Sequence, residues 1–174
     1  GAVYIMGGND ERGGVWAWAS LYTGLPSGAY QIVTQLSAED AFDAALGFAL
    51  GSYRYERYCT QNGDENTYTP LLVWPQGCDR DGVRGAYGAT KLVRDLINTP
   101  ASDLGPAELA QAAKELADAT GAVFKDVIGV DLIREDFPAI YAVGRGAEDS
   151  RAPRLVEFSW GREDAPRVTL VGKG

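Results

Sequence analysis

The sequence predicts an α/β fold, and three observations carry that expectation. Apolar runs of strand length alternate with helix-period stripes, most regularly after residue 84, which is the pattern of an α/β layer with a largely parallel sheet. Hydrophobic residues make up 45% of the 174 positions, enough to bury a core and to argue against wholesale disorder. The last apolar run, Val168-Thr169-Leu170-Val171, reads as a buried strand that breaks into Gly172-Lys173-Gly174. Open α/β sheets place their chemistry at the carboxyl ends of strands, so Lys173 is the candidate site residue.

The chain opens at Gly1 without methionine and runs at once into Val3-Tyr4-Ile5-Met6, a strand closed by Gly7-Gly8. From so abrupt a start the natural beginning is expected upstream. A polar, glycine-rich loop to Gly14 precedes an aromatic patch, Trp16, Trp18, Leu21 and Tyr22, read as core packing. Tyr30 to Val33 is the next strand candidate.

Ser37-Ala38-Glu39-Asp40 resembles a capping box and starts a helix. Phe42, Ala45, Leu46, Ala49, Leu50 and Tyr53 then form a continuous apolar stripe facing the core. Gln61 to Thr69 is a polar loop, and Pro70 to Pro75 a short buried strand. Gly77 to Gly85, charged and glycine-rich, is the expected hinge between domains. The helix after it carries Ala89, Leu92, Val93, Leu96 and Ile97 on one face, and Asn98-Thr99-Pro100 ends it, because the residue before proline is pushed out of the helical region.

Gly105 as N-cap, Pro106 at the first position and Glu108 near the positive dipole end open another helix, with Leu109, Ala110, Ala113, Leu116 and Ala117 as its stripe. Strands are expected at Ala122–Phe124 and Leu155–Phe158, and short helices at Val130–Glu135 and Pro138–Val143. Arg145 and Arg151, in a polar loop, read as solvated surface.

Composition excludes several function classes. A net charge of −8 with no basic run argues against a general nucleic-acid or anionic-membrane surface, where clustered Lys and Arg are needed. Tyr53, Tyr55 and Tyr58 with Arg54 and Arg57 would suit base stacking only on a more basic background. No apolar stretch approaches the roughly 18 residues of a membrane span, so the chain reads as soluble and cytoplasmic. Cys59 and Cys78 have no CxxC spacing and read as free thiols. The chain has no histidine, which removes Ser-His-Asp and Cys-His nucleophiles and the HExxH metal site.

Taken together, Leu92-Val93-Arg94-Asp95-Leu96-Ile97-Asn98-Thr99-Pro100-Ala101, Gly105-Pro106, Ala142-Val143-Gly144-Arg145-Gly146, Pro153-Arg154-Leu155 and Val171-Gly172-Lys173-Gly174 resemble the leucyl aminopeptidase family, also called cytosol aminopeptidases or peptidase family M17. The resemblance covers residues 84 to 174 with the motifs in the family's order. A softer likeness, Leu25-Pro26-Ser27-Gly28 and Gly47 to Arg54, extends into the family's variable N-terminal domain. Ser102 stands where the family usually has Asn, and Ala147 where a small hydroxyl residue is common. Neither is a metal-binding position.

The resemblance implies three parts. They are an N-terminal α/β domain over 1–80, a linker helix over 81–99, and the start of a mostly parallel α/β catalytic domain over 100–174. It also implies a hexameric enzyme that removes N-terminal residues from peptides with two divalent metal ions, Zn, Mn or Mg. Lys173 matches a lysine that ligates one metal, and an amine coordinates only when unprotonated, a state that a neighbouring dication favours. The family's remaining ligands, several Asp and a Glu, with a second lysine and an arginine, follow the Gly-Lys-Gly motif. No residue of this chain is therefore assigned a catalytic role, and the chain alone is expected to be inactive. Two other readings stand beside this one: a catalytically dead binding or oligomerisation module with the same N-terminal architecture, and nucleotide or ADP-ribose binding by the N-terminal domain, resting only on glycine-rich loops.

Overall fold

The computed structural model describes residues 14–59 and 69–174. The predicted strand at Val3–Met6 and the polar loop from Gln61 to Asn66 and beyond lie outside the described residues. The chain divides into two compact units, one ending at Asn98 and one spanning Thr99–Gly174.

The first unit opens with α1 (Val15–Gly24), a helix where the sequence suggested only an aromatic patch. It has no side-chain N-cap and no clear apolar stripe, so its stability comes from packing rather than from local signals. That packing is against α2 (Ala38–Gly51). A Cβ built on Gly47 would sit 2.2 Å from the Val15 carbonyl oxygen, and one on Gly51 2.5 Å from that of Ala19. Only glycine admits so close an approach of two helix backbones. Tyr22 of α1 meets Phe48 of α2 edge to face, with ring centroids 5.1 Å apart.

The cap of α2 forms as the sequence predicts, Ser37 Oγ accepting from the Asp40 N–H at 3.0 Å. Its buried face is different. Ala41, Ala44, Ala45, Gly47 and Phe48 are buried, whereas Phe42, Leu46, Ala49 and Leu50 of the expected stripe are half-buried. The close contact with α1 buries a face of small residues, with Phe48 the one large side chain on it.

β1 (Gly28–Tyr30) pairs in parallel with β2 (Pro70–Leu72), with Ala29 opposite Leu71. The pairing lies earlier than the Tyr30–Val33 run the sequence suggested, and Val33 is exposed. The expected hinge at Gly77 to Gly85 is for the most part helix. α3 (Arg80–Asn98) starts inside it, with the Asp79 carboxylate accepting the Gly82 N–H at 3.0 Å. Gly82 lets α3 close on α2, since a Cβ there would meet the Phe42 ring at 3.2 Å. On the predicted stripe of α3, Leu92 and Leu96 are half-buried while Ala89, Val93 and Ile97 are exposed. Val83, outside that stripe, is the residue α3 buries most deeply. The end of α2 is tied to α3 through Tyr53, whose hydroxyl donates to Asp95 at 2.8 Å and accepts from Asn98 at 3.1 Å.

In the second unit α3 has ended at Asn98, before Pro100, and α4 (Pro106–Thr120) begins at the predicted Gly105-Pro106. The Glu108 side chain turns back to accept the Gly105 N–H at 2.8 Å. Gly121 closes α4 in the left-handed conformation, φ 70°, which glycine adopts without strain. Of the predicted stripe, Ala110 and Ala117 are buried and Leu116 is exposed.

β3 (Val123–Ile128) pairs with β4 (Arg154–Ser159) from Val123 opposite Ser159 to Ile128 opposite Arg154. Between them lie α5 (Asp131–Arg134), α6 (Pro138–Gly144) and a 3₁₀ turn, Asp149–Arg151. The α/β class stands, but this pair is antiparallel where a mostly parallel sheet was expected. The connection consists of short helices rather than one crossover helix of strand length, so it brings the chain back beside β3 from the opposite end.

Candidate site around Lys173

The Gly172-Lys173-Gly174 motif follows β4 in a stretch without regular structure. Val168, Leu170 and Val171 are 83%, 92% and 92% exposed. The buried closing strand expected from the sequence is therefore not formed. A β-branched run becomes a strand only where a neighbouring ladder accepts its hydrogen bonds, and among the described residues the β3–β4 pair takes no third strand. Lys173 is exposed and makes no hydrogen bond or ion pair among the described residues. Gly174 runs against α4, where an added Cβ would lie 2.5 Å from the Leu109 Cδ2.

Lys173 supplies one amine. Among the described residues no group of three or more His, Cys, Asp and Glu side chains could hold a metal ion. These residues do not by themselves fit a metal pair, and no catalytic step is assigned to them. Cys59 and Cys78 are free thiols, Cys59 exposed, and burial pushes the Cys78 thiol above its ordinary value, with Asp79 adding to the rise.

What the second unit does build is a scaffold among the motif residues. The Arg151 guanidinium donates to the main-chain carbonyls of Ala101 at 2.9 Å and Ser102 at 3.0 Å. It also sits 2.8 Å from where a Gly105 Cβ would be, so a side chain at that N-cap would displace the guanidinium. Arg151 is thus a half-buried clamp and not the solvated side chain the sequence suggested, whereas Arg145 is exposed as expected. The only prior signal for Arg151 was its place in a polar loop, and nothing local names carbonyls some fifty positions away as its partners.

Glu108 is held below its ordinary value by its own backbone N–H and by that of Gly105, with Arg151 and Arg154 adding. A Cβ on Gly144 would lie 2.4 Å from the Pro153 ring, so the Gly144 and Pro153 motifs meet at close range. Arg154 pairs with Asp126 across the β3–β4 ladder, both half-buried, leaving Asp126 Oδ1 and Arg154 Nε without partners.

The residues so assembled are those of one family. A profile described as the cytosol aminopeptidase family catalytic domain matches residues 91–174, and one described as the M17 aminopeptidase N-terminal domain matches residues 2–70. The chain belongs to the cytosol aminopeptidase family. It is 35% identical over 161 residues to a probable cytosol aminopeptidase of Rhodococcus opacus, covering 85% of this chain and 32% of that protein. Against the probable cytosol aminopeptidase of Brucella melitensis it is 31% identical over 188 residues, covering 100% and 35%. The chain thus spans about a third of the length of these curated relatives.

Among solved structures, the cytosol aminopeptidase of Coxiella burnetii superposes with a TM-score of 0.74 at 41% identity, covering 87% of this chain and 32% of that one. The bottromycin maturation enzyme BotP, solved in complex with Mn, superposes with a TM-score of 0.68 at 28% identity, covering 86% and 33%. Like the Coxiella burnetii enzyme, the chain is of the α/β class. Among its described residues no helix is long and apolar enough to cross a membrane.

Proposed function

We propose that this chain is the N-terminal portion of a metallo-aminopeptidase that releases N-terminal residues from peptides. The carrying observation is the order of the two family matches, 2–70 and then 91–174, with Gly172-Lys173-Gly174 at the end of the catalytic match. In this reading residues 1–80 form the N-terminal domain, 81–99 the linker helix, and 100–174 the first part of the catalytic domain. The tie from Tyr53 to Asp95 and Asn98 supports a linker helix held firmly to the N-terminal body.

Lys173 is proposed as one nitrogen ligand of a site for two divalent ions, with Mn favoured by the likeness to the Mn complex of BotP. Such ions supply a polarised carbonyl and an activated water when bound. The remaining donors belong to the family's segment after this motif, so the isolated chain is inactive. The enzyme of family length is proposed to be a cytoplasmic homo-hexamer.

Incubating the isolated chain with leucine amide and Mn²⁺ tests the division of labour. No leucine should be released. Metal-dependent release would show that these residues hold a complete site.

A further inference from the structure

The apolar stripe that the sequence places on α3 is not the side by which α3 is held to α2. That side buries Val83, 2% exposed, and brings Gly82 against the Phe42 ring. Further along it is closed by polar ties, Tyr53 to Asp95 and Asn98, and Arg94 donating to the Leu50 carbonyl at 3.2 Å. The stripe, Ala89, Leu92, Val93, Leu96 and Ile97, lies on another side of the helix. There Val93 is 53% and Ile97 76% exposed, Ala89 is exposed, and Leu92 and Leu96 are half-buried. Spacing of i, i+3, i+4, i+7, i+8 is that of a helix face covered by a partner, and no charged residue falls among the five positions. Lys91 and Asp95 pair with each other at 3.6 Å on the far side.

Two observations indicate what covers this face. The catalytic-domain profile begins at residue 91, inside α3, so Leu92 to Ile97 belong to that match although α3 is tied to α2 of the N-terminal match. The chain also spans only about a third of its curated relatives' length, so most of a family-length protein lies outside residues 1–174. We propose that the α3 face formed by Ala89, Leu92, Val93, Leu96 and Ile97 is a docking surface for the part of the catalytic domain that follows Gly174 in proteins of family length. The proposal rests on the reading of this chain as the N-terminal portion of such a protein. One side of α3 is then locked to α2, and the other receives the segment after Gly174.

The test alkylates introduced thiols in two proteins, the 174-residue chain and the family-length protein that carries it. Val93→Cys and Ile97→Cys are read by peptide mass spectrometry over a time course, with Lys91→Cys, on the far side of α3, as the control. In the 174-residue chain all three should be modified at similar rates. In the family-length protein the Val93 and Ile97 variants should slow by about tenfold or more, because a covered thiol reacts only through local opening. The Lys91 variant should keep its rate. Unslowed modification at positions 93 and 97 of the family-length protein overturns the proposal, as does slow modification there in the 174-residue chain or equal slowing of all three variants. Protection that vanishes on dilution to monomers would assign the face to a second copy and overturns it as well. Metal-dependent hydrolysis of leucine amide by the same family-length preparation reports separately on the aminopeptidase reading. Its absence sinks that reading, while the alkylation rates still decide the docking.

Discussion

Arg151 donates a hydrogen bond to the main-chain carbonyl of Ser102 at 3.0 Å, joining positions 49 apart in sequence. A second bond to the Ala101 carbonyl makes the guanidinium a two-pronged clamp on the segment that leads into α4. Arg151→Ala should destabilise the second unit by about 1–2 kcal/mol, the range for partly exposed hydrogen bonds from a charged donor. Arg151→Lys should recover little, because an ammonium cannot span two carbonyls as a planar fork does. Urea unfolding of the two variants measures this. Equal stability of Arg151→Ala and the parent would remove the clamp from the account.

The close crossing of α1 and α2 makes a second prediction. Gly47→Ala places a methyl group 2.2 Å from the Val15 carbonyl oxygen, so one helix must move. A cost of about 1–3 kcal/mol is expected, as for other overpacked interiors. Gly121→Ala is a useful contrast, since nothing lies within 4 Å of its Cβ and only the left-handed φ opposes it. Thermal melts of both proteins should rank Gly47→Ala as the less stable.

Glu108 gives the second unit a pH dependence of known sign. Its folded value lies below the ordinary 4.5, so the stabilisation it brings is complete above that value and is lost as pH falls through the depressed folded value. Glu108→Gln should therefore flatten the acid limb of stability below pH 4.5 and leave neutral-pH behaviour nearly parallel to the parent. Paired denaturation series across acid pH would show this. Identical acid limbs would mean the Glu108 to Gly105 bond contributes nothing.

The two thiols should separate in rate. Cys59 is exposed, while Cys78 is partly covered and its thiol pushed up by burial. The thiolate is the reactive form, so alkylation should modify Cys59 first, by a factor of about ten at mildly alkaline pH. Mass spectrometry of a time course reads the order directly, and preferential modification of Cys78 would contradict it.

Much of the local architecture was legible because its causes are local. Ser37 caps α2, Pro100 follows the end of α3, and Gly105-Pro106-Glu108 opens α4, each by chemistry confined to three or four residues. What escaped depends on partners distant in sequence. α1 has no cap or stripe and exists through Gly47 and Gly51 of α2. The buried face of α2 follows the closest approach to α1 rather than the largest side chains. The stretch Gly77 to Gly85 suggested a hinge, yet Asp79 and the contact with Phe42 let helix run through it from Arg80 on. The antiparallel sense of β3 and β4 is set by the path between them, which no residue pattern states. At the candidate site the sequence singled out Lys173, but Val168 to Val171 gained no strand partner, and the Arg151 clamp had no local signature.

The central claim is that Lys173 serves as a metal ligand in an aminopeptidase of family length. The most direct measurement is leucine amide hydrolysis by the family-length protein carrying this segment, parent against Lys173→Met, with Mn²⁺ removed by chelation and restored. The account predicts metal-dependent release by the parent and a loss of more than about 100-fold in Lys173→Met, beyond the range typical of groups behind the ligands. Bound Mn should fall while the melting of the N-terminal unit stays unchanged. Hydrolysis that survives chelation, or a Lys173→Met protein with parental activity and metal content, would contradict it.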